Sequence, residues 1–203
     1  GGAALTSAQL KQAALTRVFG FEILPAPFVV AHLQLGLLLR QFGVPLREDR
    51  ERAGIYLTNA LTNWESLAQV GRQMAIPFPE FQEERDKADE IKQRKAILVI
   101  LGNPPYNAFA GVSPDEEGDL VEAYKENLNR PVAAGGWGIK KFNLDDLYVR
   151  FFRVAERRIV KTGRGVVCYI SNHSSVDDPS FVVLRQRLIA EFDKLWFDDM
   201  NGD

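Results

Sequence analysis

Ala96-Ile97-Leu98-Val99-Ile100-Leu101-Gly102-Asn103-Pro104-Pro105-Tyr106 is the stretch on which the reading of this chain turns. The unbroken aliphatic run from Ala96 to Leu101 is expected of a central parallel strand covered on both faces, because such a strand has no solvent side toward which to alternate. Gly102 and two consecutive prolines then stop the run. The polar residues around them therefore stand at a strand's carboxyl end, the position outside which open α/β sheets bind their ligands.

Working outward, strands and helices alternate. Upstream, Leu10 to Arg17 reads as a short helix leading into a strand over Val18 to Ile23. Pro25 and Pro27 suit the first turn of a helix that continues from Phe28 to Gln41 and ends at the Gly43-Val44-Pro45 turn. Gly54 to Asn59 suggests a second strand, and the charged stretch Glu80 to Lys95 an exposed helix with solvated charges. Downstream, Leu144 to Val160 is an amphipathic helix closed by Thr162-Gly163; the strand Gly165 to Ser171, the helix Phe181 to Phe192 and the strand Lys194 to Phe197 follow. The alternation implies an α/β domain with a mainly parallel sheet. Residues 107–141 lack such a pattern and are expected to be a mobile or functional loop, in which Tyr124 and Trp137 are candidates for gripping DNA; a partly disordered linker with one short helix is the other reading.

At 203 residues, 46% hydrophobic, the chain has the size and composition of a single folded unit, expected to span residues 1–203. A net charge of -2 gives no global basic field, so any contact with nucleic acid must be local. One cysteine, Cys168, allows no intramolecular disulfide and fits a cytoplasmic protein; in a strand it reads as a small buried hydrophobe. The apolar region Phe21 to Leu39 is interrupted by Glu22, Pro25, Pro27, His32 and Gln34, too polar for a membrane span.

Three predicted strands end in residues suited to a nucleoside-type cofactor: Glu22, Asn59 and Asn103. A carboxylate can accept both hydroxyls of a ribose, and an amide can donate and accept at an adenine edge. Glu and Asn also serve commonly as caps and turn residues, so their weight comes from Asn103-Pro104-Pro105-Tyr106. An exocyclic amine on an aromatic ring is a poor nucleophile because its lone pair is delocalised. The Asn103 side-chain oxygen and the Pro104 carbonyl, held by the restricted φ of consecutive prolines, provide two acceptors for its hydrogens. Those bonds strengthen as positive charge develops on nitrogen, so they act in the transition state. Tyr106 supplies a face on which an extruded base restacks.

This order of motifs resembles the amino-methyltransferases that carry an NPPY motif after their cofactor site, and the resemblance spans nearly the whole chain. It implies a Rossmann-like fold, S-adenosylmethionine as cofactor, and transfer of its methyl group to the 6-amino group of an adenine flipped from double-stranded DNA. Gly20 to Leu39 resembles the family segment whose acidic residue holds the cofactor ribose, which falls on Glu22 with Ile23 beside the adenine. Ile55 to Leu61 resembles the adenine-contacting segment, with Asn59 where family members commonly carry Asp, followed by Ala60. Asn143 to Phe152 resembles the helix closing the methionine end of the pocket, with Phe151 as the aligned aromatic. The remaining segments are similar to the modification part of large restriction-modification enzymes, which implies nuclease, helicase and target-recognition domains as partners. The family's glycine-rich cofactor turn does not precede Gly20, and no second aromatic for the base follows by Asp203, so the chain is expected to be an incomplete part of that fold, inactive by itself.

Two other functions share these features. A methyltransferase acting on a protein glutamine amide would use the same acceptors on a planar amide. A non-catalytic scaffold or DNA-positioning module would keep the fold without the chemistry. His32 and His173 lack partners at metal-ligand spacing and read as structural, and Arg185 and Arg187 read as a solvated helix face or as phosphate contacts.

Overall fold

The computed structural model describes residues 6–47, 51–64, 79–106 and 119–200. They form two compact units, one of residues 6–64 with 79–94 and the other of residues 95–106 with 119–200.

In the first unit, α1 (Ser7–Arg17) starts at a reciprocal cap: Thr6 Oγ1 accepts the Gln9 N–H at 3.3 Å, while the Thr6 N–H donates to Gln9 Oε1 at 2.9 Å. Strand β1 (Gly20–Glu22) leads into α2 (Pro25–Gln41), whose prolines fall where no N–H is needed. Strand β2 (Ile55–Leu57) pairs parallel with β1, aligning Gly20 with Ile55 and Glu22 with Leu57. Helix α3 (Pro79–Arg94) packs against β2. Glu83, Asp86, Lys87, Glu90 and Arg94 form the expected solvated face, but the opposite side of the helix is charged as well. Arg52 forms a bidentate pair with Glu84 and also donates to the Ile55 carbonyl, Asn63 donates to Asp89 at 3.1 Å, and Lys92 is completely buried. Glu84, Asp89 and Lys92 therefore help to fasten the helix, together with the buried Ala88 and Ile91.

In the second unit, β3 (Val99–Gly102) pairs parallel with β4 (Val166–Tyr169), aligning Gly102 with Tyr169. Between them come the short helix α4 (Glu122–Lys125), a 3-10 turn at Val132–Ala134, and α5 (Leu147–Thr162), which ends at Gly163 in the left-handed conformation. After β4 follow α6 (Ser174–Asp177), a 3-10 turn at Pro179–Phe181, and α7 (Val182–Glu191). The core joins Val121, Tyr124 and Leu128 to Leu144, Tyr148 and Val149 of the α5 region and to Phe181, Val183 and Leu184 of the α7 region. It is crossed by a charged network: Glu156 accepts from Tyr124 Oη at 2.5 Å, from Arg153 at 2.8 Å and from Arg187 Nε at 2.9 Å. Burial and the Glu156 carboxylate together push the Tyr124 phenol well above its ordinary pKa, so it remains a donor.

The architecture is thus mixed α/β, with a parallel two-stranded sheet in each unit. Several local expectations require correction. β3 is not covered on both faces among the described residues: Leu101 is 72% exposed, because a single strand neighbours it there. Residues 194–197 form no strand, since no described strand pairs with them, and Trp196 is 87% exposed. Cys168 points to an exposed face of β4 and is not buried. Tyr124 is a core residue and cannot grip DNA. Arg187 holds Glu156, and Arg185 donates to the Ser175 and Asp178 carbonyls, so neither is a solvated or phosphate-binding residue. Residues 119–141 carry α4 and the 3-10 turn and supply Tyr124 and Leu128 to the core; residues 107–118 of the expected loop lie outside the described residues.

Candidate functional site

In the second unit the end of β3 is shaped by an aromatic neighbour. A Cβ at Gly102 would lie 2.9 Å from Tyr169 Cε1, so the strand reaches Asn103 only because position 102 carries no side chain. The Ile170 N–H then donates to the Gly102 carbonyl at 3.1 Å and continues the pairing to the edge of the motif. Pro104 is buried and anchors the turn, while Asn103 and Pro105 are exposed. A residue preceding proline is pushed toward extended backbone, and proline fixes its own φ; the exposed amide is therefore presented from a backbone with little freedom to relax.

Tyr106 is 49% exposed. It meets Tyr148 edge to face, with centroids 5.7 Å apart at 62°. Tyr148, 3% exposed, stacks on Phe181 at 6.0 Å and contacts Phe152 at 6.4 Å. Phe152 in turn meets Tyr169 edge to face at 5.4 Å, which returns the chain of rings to Gly102. Edge-to-face and offset pairs of this kind each add about 0.5–1.5 kcal/mol beyond burial, so Tyr106 is mounted on a rigid support. Burial pushes the Tyr148 phenol far above its usual pKa, with Asp146, Asp178 and Tyr106 adding to the shift, and burial does the same for Tyr169. Both phenols stay neutral across the physiological range. Phe151, the aromatic expected at the pocket, is only partly buried, and its carbonyl accepts from Tyr169 Oη at 3.4 Å; its neighbour Phe152 is the ring within the cluster.

The first unit brings Glu22 and Asn59 to one edge. Both follow the carboxyl ends of paired parallel strands, where the Thr58 N–H donates to the Glu22 carbonyl at 2.8 Å. The Glu22 carboxylate accepts the Leu24 N–H at 3.0 Å and Asn59 Oδ1 accepts the Leu61 N–H at 2.9 Å, so each orders the backbone just beyond its strand. Ile23 is exposed beside Glu22, and the Ala60 carbonyl accepts the Trp64 indole N–H at 2.7 Å. Beneath this edge lies a residue the sequence did not single out. Lys92 Nζ donates to the Asn59 carbonyl at 2.8 Å and to Thr58 Oγ1 at 3.2 Å, and sits 5.1 Å from the centre of the Phe21 ring. It fixes the backbone that presents Asn59. A lysine in a highly charged helix gives no sequence signal of this role. His32 is bound to the Ile55 carbonyl at 3.1 Å.

Among the described residues no group of His, Cys, Asp and Glu is arranged to hold a metal ion, and no helix is long and apolar enough to cross a membrane.

No family model matches the chain, and no curated protein matches it. Its fold does recur in solved structures. A DrdV–DNA complex determined by cryo-EM is similar at TM-score 0.68 and 22% identity, over 93% of this chain and 17% of that one. The Type ISP restriction-modification enzyme LlaBIII, an ATP-dependent enzyme bound to DNA, is similar at TM-score 0.67 and 20% identity, over 91% of this chain and 12% of that one. A nuclease-deletion mutant of the Type ISP restriction-modification enzyme LlaGI, in complex with a DNA substrate mimic, is similar at TM-score 0.66 and 19% identity, over 93% of this chain and 15% of that one. At these identities the likeness is one of fold, and the chain spans less than a fifth of each of these proteins.

Proposed function

We propose that this chain is part of an adenine-specific DNA methyltransferase of a restriction-modification system, with the Rossmann-like fold of S-adenosylmethionine-dependent enzymes. The observation that carries the reading is the end of β3: an exposed Asn103 amide on a proline-restricted backbone, beside a half-exposed Tyr106 ring seated on buried aromatics. In this account Asn103 Oδ1 and the Pro104 carbonyl accept the hydrogens of the adenine 6-amino group. The nitrogen lone pair is thereby directed at the sulfonium methyl of S-adenosylmethionine, and Tyr106 stacks on the flipped base. S-adenosylmethionine, when bound, would supply the methyl group and depart as S-adenosylhomocysteine, and the surplus proton of the methylated amine would pass to solvent. Glu22 would receive the cofactor ribose, Ile23, Asn59 and Ala60 its adenine, and Phe151 its methionine end. The fold shared with DNA-bound restriction-modification enzymes supports DNA over a glutamine amide as acceptor, and supports further nuclease, helicase and target-recognition domains as partners.

The test is transfer of an isotope-labelled methyl group from S-adenosylmethionine by the full polypeptide, with DNA and protein digested separately. Label in N6-methyladenine is the expected result. Label in glutamine would replace the acceptor, and no label in either would favour the non-catalytic module.

A further inference from the structure

A second feature of this unit is independent of the Asn103 site. The segment Gly135-Gly136-Trp137 forms one wall of a cleft of about 450 Å³, completed by Glu126, Asn127, Val183 and Gln186. Its backbone is tightly specified. The Trp137 N–H donates to the Asn127 carbonyl at 3.1 Å, Gly138 to Arg130 at 2.8 Å and Ile139 to Leu128 at 2.7 Å. Asn127, Gly135 and Gly138 lie at positive φ (56°, 80° and 68°), and a Cβ at Gly136 would lie 2.2 Å from the Arg130 carbonyl oxygen. Asparagine and glycine are the residues that take left-handed backbone most readily, so the sequence here matches the turn that the loop makes. The product of this constrained loop is an indole left 40% exposed at the rim of a cleft.

The lining selects the ligand. Trp137 supplies an aromatic ring and Val183 a buried apolar contact, and the other lining residues Glu126, Asn127 and Gln186 carry a carboxylate and two amides suited to the edge of a planar ring. Carboxylates accept from base amino groups, and amides pair with base edges in both directions. A phosphate inside the cleft would meet Glu126, so the ring enters without its backbone. Outside, Arg130, Lys140 and Lys141 are exposed on the segments that flank the loop, suited to the phosphates of the same strand. A peptide would leave these cations without a role. We propose that the Trp137 cleft is a base-stacking site that takes one unpaired nucleobase, preferring an amino-bearing base, from a strand whose phosphates lie over Arg130, Lys140 and Lys141. Neither Asn103 nor Tyr106 contributes to it, so its failure and the failure of the methyl-transfer reading are separate outcomes.

Trp137 becomes the sole indole when Trp64 and Trp196 are replaced by phenylalanine, since the chain has 3 tryptophans. Titrating that protein with single-stranded oligodeoxycytidylate of about ten nucleotides, a length within reach of one such site, should quench its fluorescence saturably. An abasic strand of equal length should not. In the otherwise native chain Trp137→Ala should weaken oligomer binding about tenfold, the consequence of one lost stacking contact, and Trp137→Phe should weaken it less. Glu126→Gln, an exposed and isosteric change, should reduce the preference for oligodeoxycytidylate over oligothymidylate. This second readout decides the matter if Trp137→Ala disturbs folding by circular dichroism. Equal quenching by the abasic strand, no binding of any oligomer, or an unaltered preference in Glu126→Gln would overturn the proposal.

Discussion

The two parallel strand pairs end differently. At β1 and β2 the groups that matter are already engaged: Glu22 and Asn59 each order the backbone two residues on, and Lys92 secures the Asn59 carbonyl from below. At β3 Asn103 and Tyr106 are exposed, and among the described residues a buried proline and a chain of aromatic rings support them. The first edge is built to hold a shape; the second is built to offer groups to something that arrives. On the proposed reading the first edge would receive the cofactor and the second the incoming base, whose acceptors must be preorganised yet uncommitted.

Substitutions can break that contrast. The largest effect is expected of Asn103→Ala: loss of one preorganised acceptor should lower methyl transfer about 10²–10³-fold with S-adenosylhomocysteine affinity unchanged. A rate equal to the wild type would remove Asn103 from the chemistry. Lys92→Met should leave the Asn59 carbonyl and the Thr58 hydroxyl buried without their donor, costing about 1–3 kcal/mol in urea unfolding. Equal stability would mean that the lysine is not what fixes the edge. Tyr106→Ala should reduce transfer about tenfold, one stacking contact, and leave thermal stability close to wild type because half the ring is already in solvent. Smallest is the pH response of the pair that fastens α3. Burial opposes ionisation of Glu84, yet its hydrogen bonds and charge interaction with Arg52 hold its carboxyl below the ordinary range. Its stabilising effect is therefore fully present above the unfolded pKa and disappears as pH falls through the lower folded value. Wild type should lose more stability than Glu84→Gln on acidification over that window, and parallel acid titrations would contradict this.

Much of the fold was legible in the sequence. Consecutive prolines stop β3, Pro25 and Pro27 open α2, and Gly163 closes α5, because each acts through its own backbone. What escaped depends on long-range partners. The alternation in α5 marks Tyr148 as buried, but not that its ring joins Tyr106 to Phe181. Lys92 and Arg187 read as solvated charge because composition cannot tell a charge facing water from one meeting its counterpart inside the fold. The reverse error occurred at Cys168, an apolar-looking strand residue that is exposed. At the candidate site, the strand end and its Asn and Tyr were readable in advance, while the rings that hold Tyr106 and the lysine beneath Asn59 required the structure.

The most direct test of this division is calorimetric titration of S-adenosylhomocysteine into the full polypeptide and its Glu22→Gln and Asn103→Ala variants, with methyl transfer to DNA measured on the same samples. The expected result is that Glu22→Gln weakens cofactor binding, whereas Asn103→Ala binds as the wild type does and transfers methyl groups about 10²–10³-fold more slowly. Undiminished transfer by Asn103→Ala, or equal loss of cofactor affinity in both variants, would contradict the account.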